Sequence, residues 1–306
     1  MLLFIKMYKY VIVILILLYL IYYFLDNSIE NFENNKEDNE TPEPFDKEFV
    51  NFYEIIYRDY SDVDFEWKII KEKAFKGYDK ENSNILLVGC GVGKLASRIK
   101  REYPNLICID ESQHMINKAY ELNPNIKFKK DNLLNNDKFE KNEFTHIIFD
   151  TNTIHYNHEK KIAVMLKNCH NFLKKDGKLI VPILDPENVS RAARYYTTSY
   201  LDDHGIIHGY TYLNNFAHDC YYILDDEDKD FPIYFDKIIL EDGRARVKKT
   251  GMYVPKKEYM FDMILKEGFK VDYIYTQKEQ KLEPREIGFF TKQNKIIDVS
   301  EIENKK

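Results

Sequence analysis

The sequence predicts an α/β fold, a doubly wound and mainly parallel sheet with helices on both faces. Short apolar runs alternate with helical stretches between residues 85 and 184, and a glycine-rich turn, VGCGVG, lies at the end of the first run. This alternation is typical of parallel sheets. Glycines after a first strand let the backbone turn tightly and approach a ligand. A chain of 306 residues, 44% of them hydrophobic, can bury one sizeable core.

The first 25 residues precede this fold and predict a transmembrane anchor. Residues 11–25 are apolar without interruption, and Lys9 can extend the span by reaching the membrane surface. A cleaved signal peptide is the alternative, but it requires small residues before the cut, and positions 23–25 are Tyr, Phe and Leu. The membrane is therefore a predicted partner, contacted through an uncleaved N-terminal helix.

Residues 26–47 predict a flexible acidic linker, because they are charged, rich in Asn and broken by Pro42 and Pro44. The folded domain is expected over 48–293 and a tail over 294–306. Two helices, around 49–56 and 65–70, precede the sheet. Strands are expected at 85–88, 106–109, 126–129, 144–150 and 177–184, with helices at 94–102, 112–122 and 160–173.

A long insertion, 185–254, follows the fifth strand and predicts a small antiparallel sheet that forms a lid or side wall over the site. The segment IYFDKIILEDGRARVKKTGMYV predicts a hairpin with Asp242 and Gly243 at its turn. GYTYLNNFAHDCYYIL predicts one further strand, which makes three. Arg191, Tyr195 and Tyr196 are the candidate substrate contacts in this insertion.

Composition excludes some classes of function. The formal net charge of −6 argues against a nucleic-acid partner. The four cysteines lack CxxC spacing and have no histidines at zinc intervals, so they predict small buried side chains and no metal site.

The glycine turn narrows the choice of cofactor. Gly89, Gly91 and Gly93 follow the pattern G-x-G-x-G, whereas a nicotinamide dinucleotide fingerprint is G-x-G-x-x-G, which disfavours an oxidoreductase. Asp110 closes the second strand. A carboxylate at that place can accept from two ribose hydroxyls above the turn, and a helix cap is its alternative role.

Seven segments resemble, in order, the motifs of class I S-adenosylmethionine-dependent methyltransferases of the small-molecule type, and are also similar to methyltransferase-like proteins of giant viruses. They are LLVGCGVG, ICIDESQHMINKA, KFKKDNLL, FTHIIFDTNTIHY, FLKKDGKLIVPI, ILKEGFKVDYIY and EIGFFTK. The resemblance implies a Rossmann-like, seven-stranded sheet whose last two strands are an antiparallel pair. It also implies S-adenosylmethionine as the cofactor and methyl transfer to an O or N nucleophile of a small-molecule or lipid-like acceptor.

The resemblance assigns cofactor roles to residues at the ends of the strands. The turn would pass under the methionine part, Asp110 would hold the ribose with Glu111 as its substitute, and Asp131 would accept from the adenine amino group. Met115 would line the adenine or simply belong to the core. The full cofactor set is Gly89, Cys90, Gly91, Gly93, Asp110, Glu111, Met115, Asp131, Asn132 and Asp150.

His155 and Tyr156 follow the fourth strand and are the catalytic candidates. His155 is the first choice for a general base, and a structural, hydrogen-bonded histidine is the alternative. Leu87 departs from the family pattern, which has an acidic residue two positions before the first glycine. A second hypothesis is therefore an inactive methyltransferase-fold protein that serves binding or interaction at a membrane.

The charges around the anchor and the cofactor predict opposite orientations. Lys6 and Lys9 precede the apolar segment, which would leave the N-terminus cytoplasmic and carry the domain across the membrane. The resemblance implies a cofactor made in the cytosol. With only two lysines behind the charge bias, we expect a cytosolic domain.

Overall fold

A computed structural model describes residues 45–56, 61–184, 186, 189, 198–204, 206–213, 215–223, 230–276 and 285–293. The predicted anchor, the predicted tail and all but the last three residues of the predicted linker lie outside these ranges. Within them, no helix is long and apolar enough to cross a membrane. The described part also contains no cluster of three His, Cys, Asp or Glu side chains suited to a metal ion.

The main sheet has seven strands in the order β11-β12-β5-β4-β1-β2-β3. Four strand pairs are parallel, and β12 runs antiparallel to both β5 and β11. The predicted seven-stranded sheet with an antiparallel last pair is therefore confirmed. Its strands are β1 Ile85–Val88, β2 Leu106–Asp110, β3 Lys127–Lys130, β4 Phe144–Phe149, β5 Leu173–Leu184, β11 Phe269–Thr276 and β12 Arg285–Lys292.

Helices cover both faces of this sheet, because its central strands are apolar on both sides. Every residue of β1 and β4 is buried, as expected for interior parallel strands. One core packs against α5 and α6, and the other packs against α2, α3 and α4. The helices are α1 Lys47–Ile56, α2 Ser61–Ala74, α3 Lys94–Lys100, α4 Gln113–Leu122, α5 Glu159–Phe172 and α6 Lys257–Lys266.

A second, wholly antiparallel sheet forms within the insertion, and we call it the insertion sheet. Its order is β10-β9-β8-β7-β6, with β6 Thr198–Leu201, β7 Ile207–Leu213, β8 Phe216–Ile223, β9 Ile233–Leu240 and β10 Ala245–Gly251. The prediction of three strands was wrong. Leu213 pairs directly with Phe216, so the stretch read as one strand contains two antiparallel strands, β7 and β8.

The other predicted hairpin is confirmed. β9 and β10 are joined through Asp242 and Gly243, and Gly243 has φ of +83°. The four cysteines, all within the described residues, are buried and form no disulfide, as expected from their spacing.

Helix α1 lies between the insertion sheet and the glycine turn. On one side Phe52 contacts Phe216, with ring centroids 5.0 Å apart. On the other side Val50 packs with Val92 of the turn and Met115 of α4. The helix therefore joins the two sheets at the edge where the cofactor residues were predicted.

Candidate active site

The three glycines of the turn have positive φ values of +71°, +50° and +84° for Gly89, Gly91 and Gly93. Close packing explains why glycine is needed at two of these three positions. A Cβ on Gly89 would lie 1.9 Å from Thr153 Oγ1, and one on Gly93 would lie 2.9 Å from the Phe128 ring. No described atom lies within 4 Å of a Cβ built on Gly91. The turn is therefore packed at both ends and open in the middle, where a ligand can contact the backbone.

Asp110 is held in place by the turn and by α4 together. Its Oδ2 accepts the Gly91 N–H at 2.9 Å, and its Oδ1 accepts the Ser112 N–H at 2.9 Å. Burial raises the pKa of this carboxyl above its usual value, although both hydrogen bonds oppose the shift. Glu111, the predicted substitute, is exposed to solvent. Asp110 is therefore the better placed of the two carboxylates.

Asp131 lies beside Asp110 because β2 and β3 end at the same edge. Its N–H donates to the Asp110 carbonyl at 3.0 Å, and its Oδ1 accepts the Asn132 N–H at 2.9 Å. Met115 is buried between Val50 and Val92, which favours the core interpretation of this residue.

The loop after β4 brings further predicted residues to the turn. The Asp150 N–H donates to the Val88 carbonyl at 2.9 Å, and the Asp150 carbonyl accepts the Thr153 hydroxyl at 2.7 Å. Thr151 has φ of +43°, which is strained for a β-branched residue and is typical of functional loops. Tyr156 is 39% exposed and makes an edge contact with Phe45 at 6.3 Å.

The position of His155 does not suit a general base. Its geometry favours the alternative role, that of a structural, hydrogen-bonded histidine. The side chain is 0% exposed. Its Nδ1–H donates to the Tyr253 carbonyl at 2.7 Å, since its Nε2 accepts the Leu184 N–H at 3.0 Å. Burial lowers its pKa to about 4. Leu184 directly precedes the insertion and Tyr253 lies near its end, so this neutral histidine connects the two ends of the insertion. Because both ring nitrogens are bonded to the backbone, neither is directed at a substrate.

Cys90 lies in the turn but its side chain points into the core. The residue is buried with Leu87 and Cys108, and burial raises the pKa of its thiol well above the usual value. Its contribution to the site is through its backbone, whose N–H donates to the Ile109 carbonyl at 3.0 Å. Leu87 is also fully buried, in the same core.

Tyr53 on α1 belongs to the site, and the sequence analysis missed it. Its ring lies 6.4 Å from Phe45 and 6.1 Å from Phe49. Burial raises the pKa of its hydroxyl strongly, and Tyr156, Asp150, Asp110 and Asp236 raise it further. The hydroxyl therefore lies within the field of carboxylates from three different elements. A tyrosine four positions after Phe49 in an apolar helical stripe was the available signal.

The insertion sheet contributes a buried polar network that no motif indicated. His218 Nε2 lies 2.8 Å from Asp236 Oδ1, and the Tyr234 hydroxyl donates to the same oxygen at 3.1 Å. Lys248 Nζ is 3.9 Å from Asp236 Oδ2. Because strand residues alternate, these four side chains share the face that packs on α1. Arg191, Tyr195 and Tyr196 lie outside the described residues and remain predictions.

Comparison with known proteins agrees with this architecture. Residues 85–177 match a family model described as a methyltransferase domain. No protein of curated function matches the chain in sequence.

Solved structures with the same fold include an S-adenosylmethionine-dependent methyltransferase from Clostridium acetobutylicum. It is 15% identical with a TM-score of 0.60, and the match covers 81% of this chain and 98% of that one. CalS10, a SAM-bound amino pentose methyltransferase from Micromonospora echinaspora, is 13% identical with a TM-score of 0.60 over 79% and 97%. The sugar N-methyltransferase KedS8 from a Streptoalloteichus species is 15% identical with a TM-score of 0.57 over 79% and 93%.

The strand order, the open glycine turn with Asp110 bound to it, and the family match agree with one another. The resemblance to class I S-adenosylmethionine-dependent methyltransferases is thereby confirmed, and the similarity to giant-virus proteins stays a prediction. Residues 85–177 match a methyltransferase domain, and the chain has the class I fold of S-adenosylmethionine-dependent methyltransferases.

Proposed function

We propose that this domain binds S-adenosylmethionine and transfers its methyl group to an O or N nucleophile of a small-molecule or lipid-like acceptor. One observation carries the proposal: Gly91 faces open space while its own N–H holds Asp110. The turn thus presents a bare backbone and a fixed carboxylate side by side. That combination suits a ligand with a ribose next to an extended chain.

The residues present fit this cofactor. Asp110 would accept from the ribose hydroxyls, Asp131 and the Asn132 N–H would meet the adenine, and Asp150 would lie toward the methionine part. When bound, the cofactor supplies a methyl group that its sulfonium already makes electrophilic. Because Leu87 is buried and apolar, attraction for that positive charge falls to Asp110 and Asp150.

The chain's own task is then to place a nucleophile in line with the methyl group. Tyr53 and Tyr156 are the side chains suited to this, since Tyr53 on α1 and Tyr156 in the loop after β4 both contact the Phe45 ring beside the turn. With its pKa raised, the Tyr53 hydroxyl stays neutral at pH 7 and can donate a hydrogen bond to the acceptor. His155 instead holds the insertion in place.

An amino nitrogen on a small polar molecule is the acceptor with the most support. CalS10 and KedS8 are named as an amino pentose methyltransferase and a sugar N-methyltransferase. The carboxylates around Tyr53 also favour a neutral or cationic acceptor over an anionic one. A lipid-like acceptor remains the second candidate, motivated by the predicted anchor, which would hold a cytosolic domain at the membrane.

The test uses the full-length chain in detergent and two measurements. Calorimetric titration with S-adenosylmethionine should show saturable binding that Gly91→Ala weakens and Gly77→Ala does not. Gly77 is a matched control, since its φ is +86° and no described atom lies within 4 Å of an added Cβ. Release of S-adenosylhomocysteine is then followed with glucosamine, catechol and phosphatidylethanolamine vesicles.

The outcomes separate the hypotheses. Binding with turnover of one acceptor class identifies the enzyme and its substrate type. Binding without turnover of any acceptor would favour an inactive methyltransferase fold that serves binding or interaction. Absence of cofactor binding in folded protein would contradict the proposal.

A further inference from the structure

Residues 45–53, which we call the strap, cross the entrance to the glycine turn. The Phe45 carbonyl accepts the Ser112 hydroxyl at 2.8 Å, two residues from Asp110. Val50 packs on Val92, which lies between Gly91 and Gly93. The strap is therefore in direct contact with the cofactor turn and with the helix cap beside it.

The insertion sheet contacts the other side of the strap through two basic residues of β10. Arg246 pairs with Asp46 and donates to Glu48 Oε2 at 2.8 Å. The Lys248 ammonium lies 3.5 Å from the centroid of the Phe45 ring and 4.3 Å from that of Phe49. Its side chain is only 10% exposed. An ammonium group is thus enclosed between the strap and the sheet.

The position of Tyr53 depends on this contact. The rings that lie under the Lys248 ammonium, Phe45 and Phe49, are the two rings that flank Tyr53. Phe45 also contacts Tyr156, the other tyrosine of the site. A displacement of the strap away from Lys248 therefore moves Tyr53 away from the turn as well.

We propose that Lys248 is a positioning residue whose buried ammonium group sets how firmly the strap closes over the cofactor turn, and so how Tyr53 is placed. This inference rests on the proposed function, because the strap matters to catalysis only if the turn binds the cofactor. It adds a role for β10, which the reaction itself does not require.

The charge of Lys248 opposes closure. Burial, helped by the nearby charge of Arg246, lowers its pKa to about 8, although Asp236 and Asp46 act in the opposite direction. The remaining groups that face this contact are Glu48 and Tyr53 on the strap and His218 and Tyr234 on the sheet. Opening returns the ammonium to water, where its ordinary pKa is 10.5. The closed strap accordingly binds fewer protons than the open one between pH 8 and 10.5.

The sign of the pH dependence follows by linkage. The state that binds fewer protons gains as pH rises, so closure strengthens with pH. With pKa values of about 8 closed and 10.5 open, the closing equilibrium constant increases about tenfold from pH 7 to pH 9.

Hydrogen exchange of the strap amides in the full-length protein without cofactor tests the inference. After correction for intrinsic exchange rates, wild-type protection should increase about tenfold from pH 7 to pH 9. Lys248→Met should be well protected at both pH values, because an apolar chain fills the same place without charge. Lys249→Met is the matched control, since Lys249 is exposed and faces Phe235 on the opposite side of the sheet.

Protection that varies with pH equally in Lys248→Met and wild type would overturn the proposal, as would protection that decreases with pH. If Lys248→Met fails to fold, Arg246→Gln gives an independent test. It should lower protection at both pH values, because it removes a strap contact. The increase between pH 7 and pH 9 should become smaller but persist, because the titrating Lys248 stays while a charge that lowers its pKa is lost. Complete loss of the increase would overturn the proposal.

Dissociation of S-adenosylhomocysteine, measured by stopped flow, connects the strap to the site. The rate should decrease between pH 7 and pH 9 in wild type and stay constant in Lys248→Met. A pH-independent rate in wild type would overturn the positioning role. Absence of any binding would instead contradict the proposed function, and the strap exchange would still report separately on Lys248.

Discussion

Buried histidines occur in both sheets, and their partners differ. In the main sheet, His146 lies between the Ala74 carbonyl at 3.0 Å and the Thr145 hydroxyl at 2.8 Å, and it stacks on Phe75. His155, in the loop after β4, bonds two backbone groups. In the insertion sheet, His218 lies 2.8 Å from Asp236 and His208 lies 2.9 Å from Asp219.

The buried histidines of the main sheet and of the loop after β4, which we call the frame, have neutral partners, whereas those of the insertion sheet have carboxylate partners. Burial lowers the pKa of both His146 and His155 to about 4, against the opposing effect of their backbone partners, so neither ring changes charge near pH 7. The insertion sheet instead buries carboxylates and a lysine, whose interactions depend strongly on charge. The glycine turn therefore adjoins the frame, while the strap packs against buried charged groups of the insertion sheet.

Acid should break the frame first. Both frame histidines are neutral in the fold and have ordinary pKa values of 6.5 when unfolded. Their contribution is complete above pH 6.5 and is lost as pH falls toward 4, at about 3 kcal/mol for each. Chemical denaturation at pH 7 and pH 4 measures the change. His146→Asn should reduce the pH dependence by about half, and an unchanged slope would contradict this explanation.

Removing the histidine that connects the two ends of the insertion should have the next largest effect. His155→Leu leaves the Leu184 N–H and the Tyr253 carbonyl without this partner, and we expect a loss of about 4 kcal/mol in the free energy of unfolding. His155→Gln should recover part of it through its amide. If His155 were the catalytic base, His155→Gln would be stable and inactive. A stable variant with unchanged turnover fits the structural role.

Gly91→Val should disable the site and spare both sheets. Its side chain would enter the open space at the middle of the turn, and φ of +50° is unfavourable for a β-branched residue. Cofactor affinity should decrease at least ~100-fold, about 2.7 kcal/mol. Gly77→Val carries the same backbone strain away from the site. Similar affinities for the two variants would show that the turn does not contact the cofactor.

The smallest expected effect compares the two histidine and aspartate pairs of the insertion sheet. Asp236→Asn weakens bonds to His218, Tyr234 and Lys248, so about 2 kcal/mol of stability should be lost. Asp219→Asn should cost less than about 1 kcal/mol, because His208 retains Asp202 at 3.3 Å. Thermal unfolding of both variants measures which pair contributes more to stability. Equal losses of stability would contradict the expected difference between the two pairs.

Local patterns were sufficient for much of the frame. The runs at 85–88 and 106–109 were predicted from apolar residues alone and are observed as β1 and β2. The same holds for the Asp242 and Gly243 hairpin, whose turn chemistry is contained in two residues. Prediction failed at the paired strands β7 and β8 because only two residues separate Leu213 from Phe216 in the sequence, so the alternating pattern is interrupted only briefly.

By itself, the sequence determined the order of strands and helices between residues 85 and 184, the glycine turn and the place of Asp110, because strand periodicity and glycine conformation act over a few neighbouring residues. Only the tertiary structure decided that His155 is a structural residue, that Tyr53 lies beside the candidate site and that Lys248 packs on Phe45. Burial and partners decide those roles. The partners are about 30 to 200 residues away along the chain, where no local pattern records them.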